Sequence, residues 1–126
     1  MSLRTPLGRV RGLGSAKSGT AHWWAQRWTA VALVPLALWL AAALAHNTGA
    51  SHADAAAWIG QPVAAVLLLA LIGAAFHHAQ LGLQVVIEDY VHGHLARLAW
   101  LLVVKGAALL LAVAAALAVV KIALVG

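Results

Sequence analysis

The chain has 126 residues, of which 64% are hydrophobic and only 9% are charged. A typical soluble domain carries about 25% charged residues, so this composition excludes a soluble globular fold, and its hydrophobicity excludes disorder. Cysteine is absent, which excludes a disulfide scaffold, a thiolate nucleophile and an iron–sulfur cluster bound by this chain. The composition predicts a single small integral membrane domain.

The first 21 residues are polar, basic and rich in glycine and serine, with no apolar period. We expect them to form an extended or disordered leader before a single membrane domain that covers residues 22–126. The net charge of +5 comes largely from this end, which carries Arg4, Arg9, Arg11, Lys17 and Arg27. Because the remainder is apolar, the basic residues favour a topology signal over a nucleic-acid partner, and we expect no nucleic acid.

Three apolar stretches predict an all-α membrane protein with three transmembrane helices. A spanning helix needs about 20 residues, and each stretch is long enough. The helices are expected at about residues 22–46, 60–89 and 96–124. Lys105 and Lys121 interrupt the third stretch, but they lie about 24 Å apart along a helix, so each can reach an opposite membrane face.

The positive charges also predict the orientation of the chain. Five lie at the N-terminal side, none lies between the first two helices, and Arg97 follows the second helix. Because cytoplasmic loops are rich in lysine and arginine, we expect the N-terminus and the second loop on the cytoplasmic or matrix side. A signal-peptide cleavage site at 43–45 is the competing interpretation, but the apolar run before it is long enough to span.

Two adjacent histidines, His77 and His78, lie deep in the second predicted helix, where an ionisable residue is a candidate functional residue. Their side chains point about 100° apart. Gly82 lies one turn after His78 on the same face, which leaves a flat gap beside an imidazole, and imidazole is a common axial ligand of haem iron. On spacing alone, a histidine that hydrogen-bonds between helices is the more common alternative.

Asp89 and Tyr90 end the second predicted helix on the basic side of the membrane. Tyr90 is either part of the interfacial aromatic belt or a hydrogen-bond donor to a ligand carbonyl, oriented by the neighbouring carboxylate. Arg27 lies on the same side, where a guanidinium can hold an anionic group such as a haem propionate or a phospholipid.

These residues together resemble the small hydrophobic membrane anchor of succinate dehydrogenase. The resemblance covers about residues 20–124. It begins with His22-Trp23-x-x-x-Arg27 at the start of the first helix. Its more specific part is His78-x-x-x-Gly82-Leu83-Gln84-Val85-Val86-x-x-Asp89-Tyr90-Val91-His92-Gly93.

The resemblance implies a subunit of complex II, the succinate–quinone oxidoreductase of the respiratory chain and the tricarboxylic acid cycle. The three helices would pack with a sister anchor, the cytochrome b subunit, into a bundle that binds haem b. Electrons from succinate would pass from a flavoprotein subunit through an iron–sulfur subunit to ubiquinone. No succinate oxidation is expected on this chain alone, and the bacterial inner membrane is favoured over the mitochondrial one.

The resemblance also implies residue roles. His78 would be an axial ligand of the haem iron, and Tyr90 would hydrogen-bond a quinone carbonyl with support from Asp89. Arg27 would lie near the quinone pocket or the haem propionates. His22 and Gly82 would complete the cofactor site.

Two alternatives remain at this point. His77 can replace His78 as the ligand, although the twelve-residue spacing to Tyr90 favours His78. The chain can also be a haem-free packing or assembly subunit whose histidines hydrogen-bond between helices. A stand-alone di-haem cytochrome is disfavoured, because only these two adjacent histidines lie well inside the predicted spans.

Overall fold

A computed structural model describes residues 5–12 and 19–126, and the regular structure in these ranges is entirely helical. The helices are α1 (Pro6–Val10), α2 (Gly19–His46), α3 (His52–Ile59), α4 (Pro62–Tyr90) and α5 (His94–Val125). Three of them, α2, α4 and α5, are long and apolar enough to cross a membrane. The predicted all-α class with three spanning helices is therefore confirmed.

The two short helices, α1 and α3, lie in segments for which the sequence pattern predicts no regular structure. In α1, the Thr5 side chain accepts a hydrogen bond from the Gly8 amide, and Pro6 occupies the first turn. In α3, Ser51 and Asp54 form a reciprocal capping box. The expectation of an extended or disordered leader is thus wrong for the α1 segment, because a local cap stabilises one helical turn. It is also wrong for residues 19–21, which form the start of α2. Residues 1–4 and 13–18 of the leader lie outside the described part.

Helix α4 is central and packs against α2 on one side and α5 on the other. Trp39 of α2 stacks on Trp58 of α3, with ring centroids 5.8 Å apart. A Cβ placed on Gly60 would lie 3.7 Å from the carbonyl oxygen of Ile122 in α5. The end of α2, the start of α4 and the end of α5 therefore meet, so each neighbouring pair of spanning helices is antiparallel. We call the opposite end, where α2 begins and α4 ends, the basic end.

Very little of the chain is buried within the chain itself. Among the described residues the buried ones are Ala64, Ala65, Leu81 and Ile87, all on α4. Large apolar side chains cover the outer surfaces of α2 and α5, including Val31, Leu38 and Leu110, each more than 60% exposed. Lipid tails or other membrane subunits can cover such surfaces, whereas water cannot do so without a large hydrophobic cost.

The tight connection between α4 and α5 depends on Arg97. Its Nε donates a hydrogen bond to the carbonyl oxygen of Val91 over 3.0 Å. Val91 is the residue that ends α4, where carbonyl groups lack helical partners. Arg97 is one of the positive charges that predict the orientation of the chain. It also stabilises the turn between the antiparallel helices α4 and α5.

We expect Arg97→Gln to lower the free energy of unfolding by about 1–2 kcal/mol, because a hydrogen bond from a charged donor is lost. An SDS titration of the chain in mixed micelles, followed by circular dichroism, measures this change. Lys121→Gln at the other end of α5 is the control, with an expected change of less than about 0.5 kcal/mol. Equal losses in the two variants would contradict the role of Arg97 in the turn.

Candidate functional site

His78 lies on the face of α4 that meets α2. Its Nδ1 is 3.0 Å from the hydroxyl oxygen of Thr29, and both side chains are partly buried. Among the described residues, this is the one hydrogen bond between two side chains that joins two spanning helices. The interhelical bond expected by one alternative is therefore present at Nδ1. It leaves the second ring nitrogen, Nε2, available to another group.

Gly82 lies one helical turn beyond His78, on the same face of α4. A Cβ placed on Gly82 would have no atom within 4 Å apart from its chain neighbours and the backbone of its own helix. The face of α4 is therefore open beside the imidazole, with the buried Leu81 next to it. A flat group can approach the backbone at this point.

His22 lies in the first turns of α2, at the basic end. Its Nε2 is buried and has no hydrogen-bond partner among the described residues. Leaving a buried polar atom unpaired costs about 1–3 kcal/mol, so such an atom indicates a partner from outside the described residues. Because α2 and α4 are antiparallel and Thr29 is level with His78, His22 lies about 10 Å closer to the basic end than the His78 imidazole.

Arg27 lies over the ring of Trp23, with its guanidinium carbon 5.3 Å from the ring centroid. It is two residues from Thr29, so its backbone lies within about 3 Å of the depth of His78. Tyr90 lies twelve residues beyond His78, about 18 Å away along α4. In depth, the Arg27 backbone is thus much closer to the imidazole than to the phenol. Its guanidinium reaches towards the basic end, over Trp23, whose backbone lies about 9 Å from Thr29 along α2.

Tyr90 and Asp89 lie at the last turn of α4 and face outwards. The Tyr90 side chain is 77% exposed, and Asp89 is also exposed. Neither side chain has a hydrogen-bond partner among the described residues. The structure therefore does not bring these two residues together with His78. The candidate residues therefore form two separate clusters. One lies deep in the membrane domain around the His78 imidazole, and the other, Asp89 and Tyr90, lies exposed at the basic end. A binding pocket at Asp89 and Tyr90 would need a second protein surface.

A second polar stripe on α4 was not recognised in the sequence analysis. Gln80 donates to Gln84 over 3.2 Å, and Gln84 donates to Glu88 over 2.8 Å. The i, i+4 spacing of these residues was readable from the sequence. His77 and Lys105 line a groove of about 260 Å³ between α4 and α5 together with Gln80. His77 thus lies on a different surface from His78.

The fold defines an integral membrane subunit with three spanning helices. Within it, Nε2 of His78 is available beside the open face of α4. The family model of the succinate dehydrogenase/fumarate reductase transmembrane subunit matches residues 1–123, and the chain belongs to this family. It is a multi-pass membrane-anchor subunit of succinate dehydrogenase. It is part of an enzyme complex and is not catalytic alone.

Three relatives illustrate the match. The succinate dehydrogenase hydrophobic membrane anchor subunit of Rickettsia bellii is 39% identical over 70% of this chain and 70% of its own length. The subunit of Paracoccus denitrificans is 34% identical over 71% of this chain and 69% of its own length. The succinate dehydrogenase membrane anchor subunit of Reclinomonas americana is 30% identical over 71% and 77%. No solved structure gives a significant match. These findings confirm the resemblance stated for the sequence.

Proposed function

We propose that this anchor binds haem b together with a sister membrane anchor and forms part of the ubiquinone reduction site. The observation that carries the proposal is the arrangement around His78. This imidazole lies inside a spanning helix, is bound at Nδ1, and keeps Nε2 free beside an open helix face. An imidazole from each of two subunits provides a pair of axial ligands for haem iron.

The open helix face and the charges around His78 support a haem at this point. The open face at Gly82 lets a flat group approach the backbone. The Nε2 of His22, which has no partner in the described part of the chain, and the guanidinium of Arg27 lie towards the basic end, where they can bind carboxylate groups such as the propionates. When bound, the haem supplies one-electron chemistry.

Tyr90 is the candidate hydrogen-bond donor to ubiquinone, which is a substrate rather than a resident group. Its exposed hydroxyl can donate to a quinone carbonyl as negative charge develops on that oxygen. Asp89 precedes it at the same helix end and is proposed to orient the phenol. The exposure of both side chains supports a pocket completed by other subunits.

The partners and the orientation follow from the same proposal. The basic end faces the cytoplasm of a bacterium, because positively charged residues favour that side. This end, close to Tyr90, binds the two water-soluble partners, an iron–sulfur subunit and a flavoprotein subunit. The sister anchor would cover the open face at Gly82 and would supply the other ligand of the haem.

The test is a tagged chain extracted gently from its native membrane, with a reduced-minus-oxidised visible spectrum and a flavin assay of the purified material. We expect b-type haem bands together with flavin. Flavin without haem would remove the proposed role of His78 and retain the anchor role. An intact extract with neither flavin nor haem would contradict the whole proposal.

A second candidate function is a haem-free packing subunit. The specific observation that favours it is the bond between Thr29 and His78, which joins α2 and α4 without any cofactor. In that case His78 would contribute to stability alone, and the purified complex would lack b-type bands.

Filling the open face should discriminate between these functions. We expect Gly82→Leu to weaken haem binding by about 10-fold or more, because overpacking costs about 1–3 kcal/mol. The haem-to-flavin ratio of the purified complex measures this change. Gly73→Leu is the matched control, since Gly73 also lies on α4 with open space at Cβ but points about 180° away. A parental ratio in the Gly82 variant would contradict a haem at this face.

A further inference from the structure

The hydroxyl of Thr29 has three polar neighbours within hydrogen-bond distance. It is 2.8 Å from the carbonyl oxygen of Ala25, 3.0 Å from that of Gln26, and 3.0 Å from Nδ1 of His78. A hydroxyl group carries a single proton but can accept two hydrogen bonds. Which neighbour receives that proton determines the chemical state of the imidazole.

The two carbonyl oxygens can only accept hydrogen bonds. If the Thr29 proton pointed at His78, the hydroxyl oxygen would face both carbonyl oxygens at 2.8 and 3.0 Å with no proton between them, which is repulsive. The proton therefore lies on the carbonyl side, in the back-bonding arrangement that threonine commonly adopts within helices. The hydroxyl oxygen must then accept from His78, so the proton of the neutral imidazole is on Nδ1.

We infer that Thr29 is a positioning residue that sets the tautomer and the ring plane of His78 and so directs the Nε2 lone pair towards the haem iron. This inference rests on the proposed haem ligation by His78. A ring nitrogen that ligates a metal must be unprotonated, and the hydrogen bond at the other nitrogen determines which one is free.

The same bond should influence the iron. An acceptor at Nδ1–H raises the basicity of the opposite nitrogen, which makes the imidazole a stronger ligand. A stronger donor stabilises the ferric state relative to the ferrous state. Removing the Thr29 hydroxyl should therefore move the haem midpoint potential to more positive values and weaken haem binding about 10-fold.

The test uses Thr29→Val, which keeps the side-chain shape and removes the hydroxyl. The complete complex is purified and compared with the parental one by haem-to-flavin ratio, redox titration and low-temperature EPR of the ferric haem. For Thr29→Val we expect a lower haem-to-flavin ratio, a more positive haem midpoint potential and a changed EPR spectrum. Thr29→Ser restores the hydroxyl and should return all three measurements to the parental values.

Thr48→Val is the matched control. The Thr48 hydroxyl makes the same type of back-bond, to the Leu44 carbonyl over 3.1 Å, near the opposite end of the bundle. It has no histidine partner among the described residues. This variant should leave the haem parameters unchanged, so a general effect of losing a threonine back-bond is separated from an effect at His78.

Two outcomes overturn the inference in distinguishable ways. If His78→Ala removes the haem but Thr29→Val has parental haem content, midpoint and EPR, Thr29 is not a positioning residue and the proposed function stands. If His78→Ala retains a parental haem, the proposed ligation fails and the inference fails with it. If the valine variant does not assemble, the comparison of Thr29→Ala with Thr29→Ser decides between the same outcomes, because alanine removes the hydroxyl without adding bulk.

Discussion

His78→Ala should abolish the b-type haem bands of the purified complex while its flavin content stays near the parental value. The variant removes the one ring nitrogen that the deep site offers to iron, and a single remaining axial ligand from a sister anchor would hold haem weakly. It also removes the hydrogen bond between His78 and Thr29, so we expect an additional loss of about 1 kcal/mol in stability.

The matched control for this variant is His77→Ala. The two histidines are adjacent and share the same depth, but His77 is exposed in the groove between α4 and α5 rather than facing α2. We expect its variant to keep a parental spectrum. Loss of the haem bands in the His77 variant, with retention in the His78 variant, would assign the ligand to His77 instead.

Tyr90→Phe should reduce electron transfer from succinate to ubiquinone by about 100-fold, the usual cost of removing one donor to a developing oxyanion. The substitution deletes a single oxygen from a side chain that is 77% exposed, so we expect stability to change by less than about 0.5 kcal/mol. Succinate oxidation measured with a water-soluble dye should remain unchanged, because the dye takes electrons before the quinone site.

Equal losses with ubiquinone and with the dye would indicate a defect of assembly and contradict a role of Tyr90 at the quinone. Asp89→Asn should give a smaller decrease with ubiquinone, since it removes the carboxylate proposed to orient the phenol. Asp54→Asn is its control. Asp54 caps α3 at the opposite end of the bundle, so this variant should leave turnover with both acceptors unchanged.

The spanning helices could be predicted because apolar stretches of about 20 residues satisfy their backbone groups in a bilayer only as helices or closed barrels. The relation between His78 and Gly82 could be predicted for a similar reason. Both lie on one helix, and the period of 3.6 residues places them on one face. The short helix α3 was missed, although its cap residues, Ser51 and Asp54, are a readable local signal.

The tertiary structure alone decided which residues meet across helices. Thr29 and His78 are 49 positions apart, and no periodicity within either helix predicts that their side chains touch. That the Nε2 of His22 is buried without a partner among the described residues became visible only from the packed helices. Periodicity fixes positions within a single helix, whereas the contacts between helices depend on their mutual rotation and register. Many weak packing contacts determine that register, and no short motif encodes it.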